Sequence, residues 1–131
     1  MKDYKGKITF VVKQYPYKYR DYAYISSLAV LSANEQGKFM EMHELLIKKS
    51  PKLDKESLIS YAKDLGLDAN KFKQALEEKK FAHQIEQDLK LAKELDIYNT
   101  PTIFINGIKV VGNRDYAYFK KIIDKVLKEE K

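Results

Sequence analysis

The chain has no cysteine and no tryptophan, three prolines and five glycines in 131 residues, and only two arginines, Arg20 and Arg114. Without cysteine, thiol exchange, disulfide cross-links and thiolate metal sites are excluded for the chain by itself. The dispersed glycines form no phosphate-cradling loop. No apolar run approaches the roughly 18 residues of a membrane span. The opening MKDYKGKITF has a basic start but lacks the long apolar stretch of a secretory signal. The net charge of +6 rests on lysine, and lysines scattered among Asp and Glu describe a solvated surface more readily than a phosphate site.

What is present is a globular composition, 44% hydrophobic and 34% charged, in a length that fits one domain with a core of its own. MKDYKGK reads as a helix end, with Gly6 in the left-handed position. Ile8-Thr9-Phe10-Val11-Val12 is a short apolar run rich in β-branched residues, the pattern of a strand covered on both faces. Helical patterns follow. Ala23, Leu28, Ala29 and Leu31 mark one that breaks near Gly37, and Phe39, Met42, Leu45 and Leu46 mark a second, stopped by Ser50-Pro51. Asp54 and Asp68 are placed to cap a third and a fourth, and a fifth spans about Phe81 to Leu95. The period then changes. Thr102–Ile105 and Ile108–Val111 flank Asn106-Gly107, a strong hairpin signal. A last helix after Asp115 carries Phe119, Ile122, Ile123, Val126 and Leu127 on one side and ends in the charged KEEK.

Candidate chemistry is sparse. His43 and His83 sit in helical patterns without a metal-ligand spacing, and the serines lack a nucleophile-elbow context. No metal or cofactor is expected. Tyr15, Tyr17, Tyr19, Tyr22 and Tyr24 interleave with Lys18 and Arg20, which offers single-stranded nucleic acid a stacking platform. The plainer reading packs the rings along a loop with their hydroxyls in water, and it is preferred. The remaining feature is Pro101 in NTPT, at the doorway of a strand. A trans proline there is simply a strand start, whereas a cis Thr100–Pro101 bond would turn peptide groups outward, where an extended peptide can pair by strand addition.

NTPTIFINGIKVVG with its terminal amphipathic helix resembles the proline loop and final hairpin of DsbA-like thiol–disulfide oxidoreductases of the thioredoxin superfamily. KITFVVKQYPY, NEQGKFMEMHELL and AKELDIYNTPTIFING are similar to that family's stretches after its active site. The resemblance implies an α/β, thioredoxin-like fold with a DsbA-type helical insertion. Residues 1–131 would form one partial domain, with residues 21–95 as the insertion. Thr100, Pro101 and Thr102 would be the substrate-contacting cis-proline loop. The family's redox Cys-x-x-Cys, which follows its first strand, has no counterpart in this sequence, and Met1 falls where the first helix should be ending. Thus no catalytic residue is assigned and thiol–disulfide exchange is not expected.

In the family, that first strand lies between the strands matching Ile8–Val12 and Thr102–Ile105. With strands about 4.8 Å apart, its absence opens a gap of roughly 10 Å. An unpaired edge of this kind predicts a homo-oligomer, by strand exchange or edge pairing. The expected partners are therefore extended or unfolded peptides and a second copy, with no membrane and with nucleic acid the lesser alternative. The family works outside the cytoplasm, which sits against the lack of an export signal and leaves localisation open.

Overall fold

A computed structural model describes residues 2–130, so the expectations resting on Met1 and on the final lysine of KEEK lie outside the described residues. After a short 3-10 turn at Lys2–Tyr4 come five helices: α1 Ala23–Glu35, α2 Phe39–Lys49, α3 Lys55–Asp64, α4 Ala69–Glu77 and α5 Ala82–Glu94. The hairpin β1 Thr102–Ile105 and β2 Ile108–Val111 follows, and α6 Tyr116–Glu129 closes the chain. The contacts divide the chain into two compact units, residues up to Lys90 and residues from Leu91 onward.

The first unit is built around α1. Its residues Ser27 to Ala33 are all buried, and a helix enclosed on every side must be apolar or small-residued all round, as this one is. Ser32 tolerates burial by donating its hydroxyl to the Leu28 carbonyl at 2.7 Å. Met42, Leu58, Phe72 and Ile85, one from each of α2 to α5, are fully enclosed in the core. Aspartates start two of these helices: the Asp54 carboxylate accepts the Ser57 N–H at 3.2 Å, and Asp68 accepts the Lys71 N–H at 3.1 Å. Gln36 joins the end of α1 to the start of α4, accepting the Asp68 N–H at 2.8 Å.

The strand expected over Ile8–Val12 does not form. Residues 8–17 carry no regular structure, and Phe10 and Val11 are 60% and 65% exposed. β-branched residues favour an extended backbone, but a strand needs a neighbour to take its N–H and C=O groups, and none is paired with it among the described residues. The segment is tied down just beyond, where the Gln14 N–H donates to Asp88 Oδ2 at 2.8 Å and Lys13 Nζ lies 3.6 Å from Oδ1.

In the second unit β1 and β2 pair antiparallel, Thr102 with Val111 through Ile105 with Ile108. Asn106 and Gly107, at φ of 47° and 87°, make the two-residue turn whose twist suits such a hairpin. α6 starts on the Asp115 carboxylate, which accepts the Tyr118 N–H at 2.8 Å. Asn106 Nδ2 reaches Glu130 Oε1 at 2.6 Å. Val110 and Val126 are the buried side chains of the hairpin and this helix.

Candidate functional site

The chain leaves α5 through Asp96, whose φ of 53° turns the backbone, and the Ile97 N–H returns to the Ala92 carbonyl at 2.8 Å. Tyr98, Asn99, Thr100 and Pro101 are then exposed, and Thr102 is half-buried. The Thr100–Pro101 peptide bond is cis, as is Ser50–Pro51. The Thr102 hydroxyl donates to the Asn99 carbonyl at 2.7 Å, closing the loop over its own proline.

The hairpin register fixes which backbone groups this loop offers. With a two-residue turn, Ile105 and Ile108 form a hydrogen-bonded pair, and such pairs alternate along an antiparallel ladder. Ile103–Val110 is the next bonded pair, and Pro101–Gly112 falls on the next bonded position. There the Gly112 N–H donates to the Pro101 carbonyl at 2.9 Å, and the reciprocal bond cannot form because proline has no N–H. Proline therefore ends the ladder. Thr102 and Phe104 lie between the bonded positions, so their N–H and C=O groups point away from β2, along the outer edge of β1.

The site is electrically neutral. No residue from Ile97 to Ile108 carries a charged side chain; Asp96 and Lys109 bracket the stretch. It contains hydroxyls, amides, a phenol and apolar side chains, with no activated nucleophile and no acid–base pair. What it can do chemically is bind, through backbone hydrogen bonds at an edge and apolar contact beside a proline.

The other sequence candidates fall elsewhere. Among the described residues no group of three His, Cys, Asp or Glu side chains is gathered for a metal. His43 stacks on Phe39 with ring centroids 5.8 Å apart, and the His83 side chain is exposed. The tyrosine run forms a local array in the first unit, Tyr15 edge-on to Tyr17 and Tyr17 stacked on Tyr19 at 5.2 Å, with the Arg20 guanidinium 5.8 Å over Tyr19. A cleft of about 360 Å3 opens beside it, lined by Tyr17, Tyr22, Tyr24, Lys18 and Arg20 among others. Asp88 was not marked by any sequence signal, because the Gln14 N–H it accepts lies 74 positions away. No helix among the described residues is long and apolar enough to cross a membrane.

A family model described as Thioredoxin matches residues 1–125. The chain is 38% identical over 86 residues to the Na(+)/H(+) antiporter NhaA 3 of Salinispora tropica, covering 66% of this chain and 13% of that protein. It is 34% identical over 119 residues to the ClpXP adapter protein SpxH of Halalkalibacterium halodurans, covering 80% of this chain and 39% of that protein. With Disulfide bond formation protein D of Bacillus subtilis the identity is 32% over 114 residues, covering 79% and 51%. The chain thus spans at most about half the length of these relatives. The crystal structure of oxidised BdbD from Bacillus subtilis superposes with a TM-score of 0.72 at 28% identity, over 82% of this chain and 63% of that one. Matched along nearly its whole length, and sharing the mixed helix-and-hairpin architecture of a thioredoxin-like oxidoreductase without any cysteine, the chain belongs to the thioredoxin family.

Proposed function

We propose that this chain is a redox-inert, peptide-binding member of its family, which holds extended or unfolded peptide at Thr100, Pro101 and Thr102. The observation that carries the reading is the outward-facing backbone of Thr102 beside the exposed Pro101, in a loop with no charge and a chain with no cysteine. An extended peptide can add to that edge, with its amide groups meeting those of Thr102 and its side chains lying over Pro101 and Tyr98. Tyr98 is 61% exposed and supplies an amphipathic surface for such contact. The relative named as an adapter protein fits a docking role, and the one named for disulfide bond formation fits a protein substrate.

The test uses reduced and alkylated insulin B chain, labelled for fluorescence anisotropy. Binding is expected with a Kd of about 10 µM to 1 mM, the range of a small edge contact. Thr102→Pro removes an N–H that faces away from β2 together with the hydroxyl that closes the loop, and weakens binding about tenfold or more, whereas Thr102→Val, which keeps the N–H and loses the hydroxyl, weakens it less. Binding that is absent at millimolar protein, or unchanged in Thr102→Pro, overturns the proposal. A pure sample is also expected to leave a dithiol peptide unoxidised, and measurable turnover would overturn redox inertness.

A further inference from the structure

We propose that the tyrosine-bearing stretch ahead of α1 binds single-stranded nucleic acid. One base enters the cleft beside Tyr22 and Tyr24, its neighbour lies on the Tyr19 ring, and Lys18 and Arg20 meet the phosphate between them. The proposal is independent of the peptide-binding reading, because every residue it uses lies in the first unit.

Packing of the rings against one another accounts for only part of this stretch. Tyr15 and Tyr17 are half-buried and lie edge-on to each other. Tyr22 and Tyr24 are exposed, and Tyr19 is 75% exposed although it stacks on Tyr17 with the ring planes 16° apart. An ordered array of rings with open faces is a stacking platform. Tyr22 also holds a left-handed backbone at φ 64°, a costly conformation for a bulky residue, and outliers of that kind gather at ligand sites. The walls of the cleft come from residues 16–25 and from Leu89 on α5. Its volume of about 360 Å3 falls at the small end of ligand sites, the scale of a single nucleotide.

Charge selects the occupant. Residues 1–20 hold six Lys or Arg side chains against one Asp, and the rest of the chain holds 19 against 18, so five of the six net positive charges fall in this part of the sequence. Lys18 and Arg20 make no ion pair among the described residues, and Asp21 is the single acidic residue from Lys13 to Tyr24. Two such cations beside the cleft repel the quaternary ammonium groups that tyrosine cages otherwise hold, and attract an aromatic anion. Rings and cations alternate along Tyr17-Lys18-Tyr19-Arg20. A single strand has the same alternation, one base and one phosphate in each nucleotide, whereas an acidic peptide brings charge with few rings.

The experiment is fluorescence anisotropy of a labelled single-stranded DNA of about ten nucleotides titrated with the full chain. Micromolar binding is expected in about 50 mM salt, falling about sevenfold by about 200 mM, the dependence of two phosphate contacts on a single strand. Arg20→Gln removes one contact and flattens that fall to about threefold. Tyr19→Ala weakens binding about tenfold and leaves the salt dependence as it was, since the ring stacks and carries no charge. Lys121→Gln, on the exposed side of α6, changes neither quantity. No binding in low salt overturns the proposal, and so does a Tyr19→Ala variant that binds as well as the original chain. A glutamate peptide of the same length that displaces the DNA at equal concentration also overturns it, and names an acidic peptide as the occupant. Should Tyr19→Ala fail to fold, the unmodified chain decides: ring-proton resonances of Tyr19, Tyr22 and Tyr24 shift upfield on titration, and shifts confined to other tyrosines overturn the assignment.

Discussion

Asp88 ties down a segment that pairs with no strand among the described residues. Its carboxylate is buried on α5, accepts the Gln14 N–H and lies beside Lys13, anchoring the irregular segment 8–17. The Lys13 ammonium is more than half exposed and 3.6 Å away, so the ion pair itself is screened and contributes little. The backbone bond is the stronger half, because an N–H left without a partner near the protein interior costs about 1–3 kcal/mol. Asp88→Asn keeps an acceptor and is expected to cost under about 1 kcal/mol, whereas Asp88→Ala costs about 1–3 kcal/mol. Urea unfolding measures the difference. Limited trypsin digestion checks the cause, since cleavage after Lys13 should accelerate in the alanine variant first. Equal losses in the two variants would shift the credit from the hydrogen bond to the charge.

At the scale of elements, the aspartate and glutamate residues at helix boundaries give stability a pH dependence of definite sign. The Ser57 hydroxyl, and then its N–H, hold the Asp54 carboxyl below the ordinary carboxylate range. Hydrogen bonds from Lys80 and Lys55 do the same for Glu35 and Glu77. A carboxylate with a depressed folded-state pKa binds fewer protons folded than unfolded. It therefore contributes stability above its ordinary pKa, and the contribution is lost as pH falls through the depressed value. Melting temperature should be flat from neutrality to about pH 5 and decline below about pH 4. Asp54→Asn, which still caps α3, should remove part of that decline without lowering the neutral-pH melting temperature by more than a few degrees. A decline unchanged in Asp54→Asn would remove Asp54 as a contributor. Added salt should shrink the lysine-dependent part, because these pairs lie at or near the surface.

These elements were also the legible part of the sequence. Helical periodicity, the Asp54 and Asp68 caps and the Asn106-Gly107 turn are local signals, and each acts within a few residues of itself. The α/β, thioredoxin-like class was legible through the NTPTIFING stretch and its flanks. The state of the segment around Phe10 was not, because β-branched residues record a preference for extended backbone while the partner that would make it a strand is non-local. The Asp88 contact was hidden for the same reason. The outward orientation of Thr102 could be derived only once the pairing of Ile105 with Ile108 was known, since one step of register reverses every backbone group.

For the molecule as a whole, burial is distributed unevenly between the two units. Leu28 to Leu31, Ala33, Met42, Leu46, Leu58, Tyr61, Ala62, Phe72, Leu76 and Ile85 form one connected core in the first. Among the described residues the buried apolar side chains of the second are Ala92, Val110 and Val126. Opening free energy follows buried apolar contact, and a two-stranded hairpin with little cover is marginal by itself. Native-state hydrogen exchange should therefore divide the chain: amides of α1 should exchange about a hundredfold more slowly, or slower still, than those of Ile103, Ile105 and Val110. Such an ordering would match stability to the proposed function, because the loop proposed to hold peptides lies on the unit with the smaller buried core, while the helical core keeps the fold. Hairpin amides that exchange as slowly as those of α1 in dilute solution would show instead that the chain opens as one cooperative unit, with stability spread evenly despite the uneven burial.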